Sequence, residues 1–380
     1  MAALAPQASV GVERTFVGLP SPTLPRSGPG GHPCQGLYWT RRGQPRPRVA
    51  AIAAHYSADF AEHYIAPYLA AQGIGFLGWN TRFRGADDLF LLEPALIDLG
   101  VGVRWLKEDA GAEIVVILGN SGGGSLMAAY QAEATSPLLA RESKGLAGDA
   151  LANLIAGDFF VTLAAHAGRP DVLTSWIDPS VTDETDSLGA DPALDAFNPK
   201  NGPPYSEEFI SLYREAQRAR NIRISDWAQA QLAILEAQGA PDRVFPLFRV
   251  WADLRFLDPR IDPSDRPTPR CYMGDPAVAN CRVPGLARAC TLRTWLSMWS
   301  LAHSRCRGEQ HLKKINVPAL VIQATRDVGV FPSDARGLLE ALGSADKSMQ
   351  IAAGGHFFED SSTERERVAE VISGWVAART

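Results

Sequence analysis

The sequence predicts an α/β protein: a mostly parallel, doubly wound sheet carrying an inserted, mainly helical cap. Three observations predict it. Short apolar runs alternate with amphipathic stretches from Arg48 to His166 and again from Ile315 onward, as in β-α-β units. From about Gly168 to Gly308 the alternation stops, and the chain reads as helical, Pro-rich and aromatic. Finally, the run Ile114-Val115-Val116-Ile117-Leu118 leads straight into Gly119-Asn120-Ser121-Gly122-Gly123-Gly124, a strand, a tight turn and a helix start. The boundaries implied are 1–168 with 309–380 for the core and 169–308 for the cap.

A chain of 380 residues has room for one large domain with an insertion, or for two domains. Hydrophobic and charged fractions of 46% and 21% are those of an ordinary globular protein. A net charge of −5 gives no reason to expect nucleic acid or an anionic membrane as partner. Met1-Ala-Ala-Leu-Ala-Pro6 lacks a basic segment and a sustained apolar one, so no signal peptide is expected. A cytoplasmic location with reduced thiols follows, and no run is apolar enough to span a bilayer. Five cysteines, odd in number and irregular in spacing, argue against a disulfide framework. His303, Cys306 and His311 lie near one another but lack a recognisable ligand spacing, so no metal or cofactor is expected. A homodimer is compatible with the sequence.

The elements follow in order. Val10 to Leu19 and Cys34 to Thr40 read as strands at an antiparallel edge, with Gly43 and Pro45 in the turn that follows. Arg48 to His55 is the first buried strand. Phe60, Tyr64, Ile65, Tyr68 and Leu69 make one face of a helix expected over Asp59–Ala71, ended by Gly73. A strand at Ile74–Asn80, a helix at Leu91–Asp109 and the Ile114–Leu118 strand come next. Asp158 to Ala165 is a further strand, ending at His166. Helices are expected in the cap at Tyr205–Arg218, Ile224–Gln238 and Thr291–His303, with an irregular loop from Asp258 to Pro269. The core resumes with a strand at Val317–Ala324, a helix at Ser333–Leu342, a strand at Ser348–Ala353 and a final helix at Ser362–Ala378.

The Gly119-x-Ser121-x-Gly123 turn is where chemistry is expected. A serine on so sharp a turn has its hydroxyl lifted clear of the sheet at the expense of a strained backbone, and crowded neighbours must be small. The helix that follows aims free N–H groups at the place where an oxyanion would form. A P-loop is excluded because no Lys follows Gly124, and the dinucleotide pattern Gly-x-Gly-x-x-Gly is not completed. Serine needs a base, and the base an orienting acid. Asp327 follows one late core strand and His356, behind Gly354-Gly355, follows the last. Asp178, Asp183 and Glu184 are rival acids, and His166 is a rival base.

On Gly119-Asn120-Ser121-Gly122-Gly123, Val317-Pro318-Ala319-Leu320-Val321-Ile322 ahead of Asp327, and Gly354-Gly355-His356, the chain resembles the α/β-hydrolase superfamily. The resemblance covers roughly 48–166 and 315–380; the cap matches no named family. It carries the chain order Ser121, Asp327, His356. It also implies an oxyanion hole built from the N–H of Gly122 and one from His55-Tyr56-Ser57. That loop often reads His-Gly-x, so Tyr56 is a departure; Ser57 is the first choice of donor and Tyr56 the second. His55 is expected beneath the loop in a structural role. Asn80 and Arg82 should fix the loop after their strand, and Arg84 should form a surface ion pair. The implied activity is that of a serine carboxylic ester hydrolase acting on a small, largely apolar or aromatic ester. Lactonase, thioesterase, amidase and C–C bond hydrolase chemistry share the triad, and non-catalytic ligand binding is the remaining alternative. Trp176, Trp227, Phe245, Phe248, Trp251, Phe256, Trp295 and Trp299 are the cap aromatics from which an apolar pocket would be drawn.

Overall fold

A strand buried on both faces needs no polar side, and the apolar runs named above are strands of that kind. The computed structural model describes residues 11–28, 31–186, 188–282, 285–361 and 363–380. The strands are β1 Val12–Leu19, β2 Cys34–Arg41, β3 Val49–Ala54, β4 Gly75–Asn80, β5 Ile114–Ser121, β6 Phe159–Ala165, β7 Val244–Pro246, β8 Ala289–Thr291, β9 Ala319–Ala324 and β10 Lys347–Ala352. Eight of them form one sheet in the order β1-β2-β4-β3-β5-β6-β9-β10. β1 and β2 form the antiparallel edge, and β2 also runs antiparallel to β4; the remaining pairs are parallel. Val10 and Ser362, placed in elements from the sequence, lie outside the described residues.

Alternate residues of each strand feed opposite faces. In β3, Ala50, Ile52 and Ala54 join one apolar cluster, while Ala51 and Ala53 join another. The second cluster is closed by Leu69 and by Val368, Ile372 and Val376 of the last helix, Glu364–Ala377. The first is covered by the helices Leu92–Glu108 and Gly123–Thr135, and it continues without a break into Trp176, Trp251, Phe256, Trp295 and Trp299. The segment between β6 and β9 therefore shares its core with the sheet.

Three elements differ from the sequence reading. The first helix is only Ala66–Ala71, because Pro67 sits in its first turn and has no N–H to bond the turn before. The two helices expected between Tyr205 and Gln238 are one helix of 31 residues, Glu207–Ala237. Asn221 looks like a break, but its amide is buried and donates to Trp299 O (2.9 Å) and Thr174 Oγ1 (3.0 Å). Thr291–His303 is helical only at Leu292–Thr294, then widens into a π-type turn over Trp295–Trp299, where two fully buried indoles are accommodated. The short β7–β8 ribbon was not read from the sequence.

Candidate active site

Ser121 is the last residue of β5 and has φ 53°, in the left-handed region that a side-chain-bearing residue rarely adopts. The pairing with β6 shifts between Asn120 and Ser121. The glycines around it answer specific contacts. A Cβ on Gly119 would lie 2.6 Å from Gly124 Cα, one on Gly124 2.6 Å from Ala165 Cβ, and one on Gly123 would run into Ala54 O. The turn is held from below. Asn120 donates to Leu163 O (2.6 Å) and Tyr64 OH (3.1 Å) and accepts from His63 Nε2 (3.0 Å). His63 Nδ1 takes the N–H of Ile65 (3.3 Å), which fixes the proton on Nε2. Burial pushes the His63 pKa down to about 4, so this ring is neutral.

Asp327 and His356 follow β9 and β10. His356 Nδ1 donates to Asp327 Oδ2 at 2.7 Å, which leaves Nε2 free to accept a proton. Asp327 Oδ1 accepts the N–H groups of Gly329 (2.9 Å) and Val330 (3.0 Å), and the carboxylate is only 1% exposed. One partner comes from the inserted segment: Tyr272 OH donates to Asp327 Oδ1 (3.2 Å) and lies 3.0 Å from His356 Nδ1. The sequence reading did not single out Tyr272, which sits in a non-periodic stretch with nothing local to mark it.

The rival acids are engaged elsewhere. Asp178 binds Arg249 Nε (2.8 Å), Asn280 Nδ2 (2.7 Å) and Ser180 N (3.0 Å). Asp183 takes Thr185, and Glu184 pairs with Arg220 and Arg223. His166 is buried with its ring centroid 6.3 Å from that of His356 and edge-on to Trp176 (5.7 Å). Burial first, and then the His356 and Arg169 charges, push its pKa well below the usual range; no carboxylate orients it among the described residues.

In the loop after β3, two backbone N–H groups turn toward one ring. Ser57 N and Ala58 N both point at His55 Nδ1 (3.4 and 3.2 Å), so the Ser57 N–H faces this ring. The Tyr56 N–H has no hydrogen-bond partner among the described residues. Below the elbow, the Tyr56 hydroxyl meets Ser125 Oγ at 3.0 Å. His55 is not beneath the loop alone. With Nδ1 accepting, its proton resides on Nε2, and Nε2 lies 2.7 Å from where a Gly122 Cβ would be. Burial, then the nearby Arg169, push the His55 pKa well down, so the ring stays neutral.

Arg169 comes to the same spot: Nη1 is 2.5 Å from that Gly122 Cβ position, and the guanidinium lies over the rings of Tyr56 (5.1 Å) and Trp299 (4.6 Å). It also escaped the sequence reading, although a charge just past the end of a core strand is a usable signal. Asn80 accepts from Phe60 N (2.9 Å), Arg82 pairs with buried Asp98 (2.7 Å), and Arg84 meets Asp59 (3.3 Å) at the surface.

Trp176 and Trp299 are the inserted aromatics that reach this site, through His166, Tyr272 and Arg169. Phe245 instead packs edge-on with both Trp227 and Trp295 (5.0 and 5.7 Å). Trp227, Phe245 and Phe248 line a separate groove of about 470 Å³. A cleft of about 450 Å³ reaches His356 between Arg270, Tyr272, Val328 and Phe357. Among the described residues no helix is long and apolar enough to cross a membrane, and no three His, Cys, Asp or Glu are grouped to hold a metal ion.

No family model matches the sequence, and no curated protein matches it. In structure the chain is similar to DcsB in complex with its substrate analogue, with TM-score 0.54 and 11% identity over 96% of this chain and 99% of that one. It is also similar to Est1E from Butyrivibrio proteoclasticus (0.48, 12%, 91% and 93%) and to Paleococcus ferrophilus monoacylglycerol lipase (0.46, 15%, 97% and 99%). The chain has an α/β-hydrolase fold.

Proposed function

We propose that the chain is a serine hydrolase that cleaves a carboxylic ester of a small, largely apolar or aromatic molecule. One observation carries this: Ser121 is held at positive φ on a strand-turn-helix while His356, bonded to Asp327 at 2.7 Å, follows the last strand of the same sheet. In the reaction, Ser121 Oγ attacks the ester carbonyl as His356 Nε2 takes its proton. The oxyanion is held by the N–H of Gly122 and by one from Tyr56-Ser57, with Tyr56 preferred. His356, its positive charge balanced by Asp327, protonates the departing alkoxide. Water, deprotonated by the same ring, then releases the acid from Ser121.

Residues 169–308 act as a cap in this reading. Tyr272 reaches the acid and base from that segment, with Trp176 packed behind it and Trp299 behind Arg169. The test is turnover of p-nitrophenyl esters by purified protein. Ser121→Ala should abolish it, and a variant that still turns over overturns the assignment.

A further inference from the structure

Among the described residues three arginines are buried: Arg169, Arg220 and Arg266, at 4%, 0% and 6% exposure. Two of them are fully accounted for. Arg220 pairs with Glu184 (2.7 Å) and donates to Asp178 O and Phe248 O. Arg266 donates to the carbonyls of Arg255, Asp262 and Ile261 and to Ser264 Oγ. Arg169 has neither kind of partner. Its Nε is buried without a hydrogen bond, and no described side chain or carbonyl accepts from its other nitrogens. Asp87 acts on it only through space, beyond ion-pair distance.

Tyr56 and Trp299 fix the guanidinium by their ring faces, which leaves its N–H donors unspent. A guanidinium cannot relieve such burial by losing its proton, and an uncompensated buried charge destabilises a fold strongly. Both Arg169 Nη1 and the protonated His55 Nε2 converge beside Gly122, the residue following the nucleophile. Two donors thus meet next to where the scissile carbonyl would sit.

We propose that Arg169 receives a carboxylate carried by the substrate, so that the ester cleaved at Ser121 is anionic, such as a half-ester of a short dicarboxylic acid. This rests on the serine hydrolase reading and narrows its substrate class. The planar fork of N–H donors suits a carboxylate in two-point contact, and His55 supplies a neutral third donor. The scissile carbonyl is then placed by a charge close to it.

The matched probes are mono-(p-nitrophenyl) succinate and its methyl ester, which differ in the free carboxylate. The intact protein should favour the free acid in kcat/KM by about tenfold or more, the scale of one charge-assisted contact. Arg169→Gln should erase that ratio, and Arg169→Lys should restore part of it. Fluorophosphonate labelling of Ser121 checks that each variant is folded. An unchanged ratio in Arg169→Gln, or an equal loss on both esters, overturns the proposal; the equal loss would assign Arg169 to the oxyanion or to the fold. A second measurement does not depend on turnover. Monomethyl succinate should bind the Ser121→Ala protein in calorimetry, and at least about tenfold more weakly once Arg169→Gln is added. Equal binding with and without Arg169, or none at millimolar ligand, overturns the carboxylate site. Should Ser121→Ala retain ester turnover, the hydrolase reading falls, and this titration still decides Arg169.

Discussion

The carboxyl edge of the sheet and the segment inserted after β6 both supply groups to the site, but they hold them differently. Ser121 ends β5, while Asp327 and His356 lie just past β9 and β10, and their supports are partly local: Asp327 is fixed by the N–H groups of Gly329 and Val330. Tyr272 and Arg169 are held across the chain. Tyr272 meets residues 55 and 84 positions away, and Arg169 rests on Tyr56 and Trp299. In the proposed function the strand ends carry the reaction, while from the second region Tyr272 supports the base and Arg169 meets the substrate.

The largest expected effect lies on the sheet side. Asp327→Asn should lower kcat by about 10⁴-fold, since an amide no longer holds His356 in the tautomer that accepts the serine proton. A loss of less than about tenfold would mean that another acid serves, with Asp178 and Glu184 the first to test.

The next effect contrasts two buried arginines by thermal or denaturant unfolding. Arg220→Met takes the donors from Asp178 O and Phe248 O and leaves Glu184 only the more distant Arg223, and should cost about 2 kcal/mol. Arg169→Met removes a charge with no partner and should cost less than about 1 kcal/mol, because the lost contacts with Tyr56 and Trp299 are offset by the desolvation no longer required. Equal losses would erase the distinction drawn between a structural and a receiving arginine.

Tyr272→Phe keeps the ring that packs 4.6 Å from His356 and removes only the hydroxyl. A fall in kcat of about tenfold with little change in KM is expected, the scale of one hydrogen bond to a charged group. An unchanged kcat would reduce Tyr272 to packing.

The smallest effect is on pH. His63 is neutral under the elbow with its pKa near 4, below the unfolded value of about 6.5. Between those values the unfolded chain binds the extra proton, so the His63 contribution is present above about pH 6.5 and declines as pH falls toward 4. His63→Gln should flatten the slope of unfolding free energy against pH in that window; an unaltered slope would place the titration elsewhere.

What the sequence made legible follows the same division. The sheet could be read because β3, β5, β6 and β9 are apolar runs too short for helices, and Ser121, Asp327 and His356 stood out as candidates because they sit at or just past strand ends. Errors arose where tertiary partners overrode local signals. Asn221 continues a helix since Trp299 O and Thr174 Oγ1 satisfy its buried amide. Tyr272 had no periodicity to betray it. Arg169 was visible as a charge beyond β6, but only the absence of partners shows what sets it apart.

Whether Ser121 is an activated nucleophile is tested most directly by a fluorophosphonate probe followed by peptide mass spectrometry. One adduct per chain on Ser121, slowed by Asp327→Asn and absent in Ser121→Ala, is the predicted result. An unlabelled Ser121 in folded protein, or an adduct on a different serine that accompanies ester turnover, would contradict it.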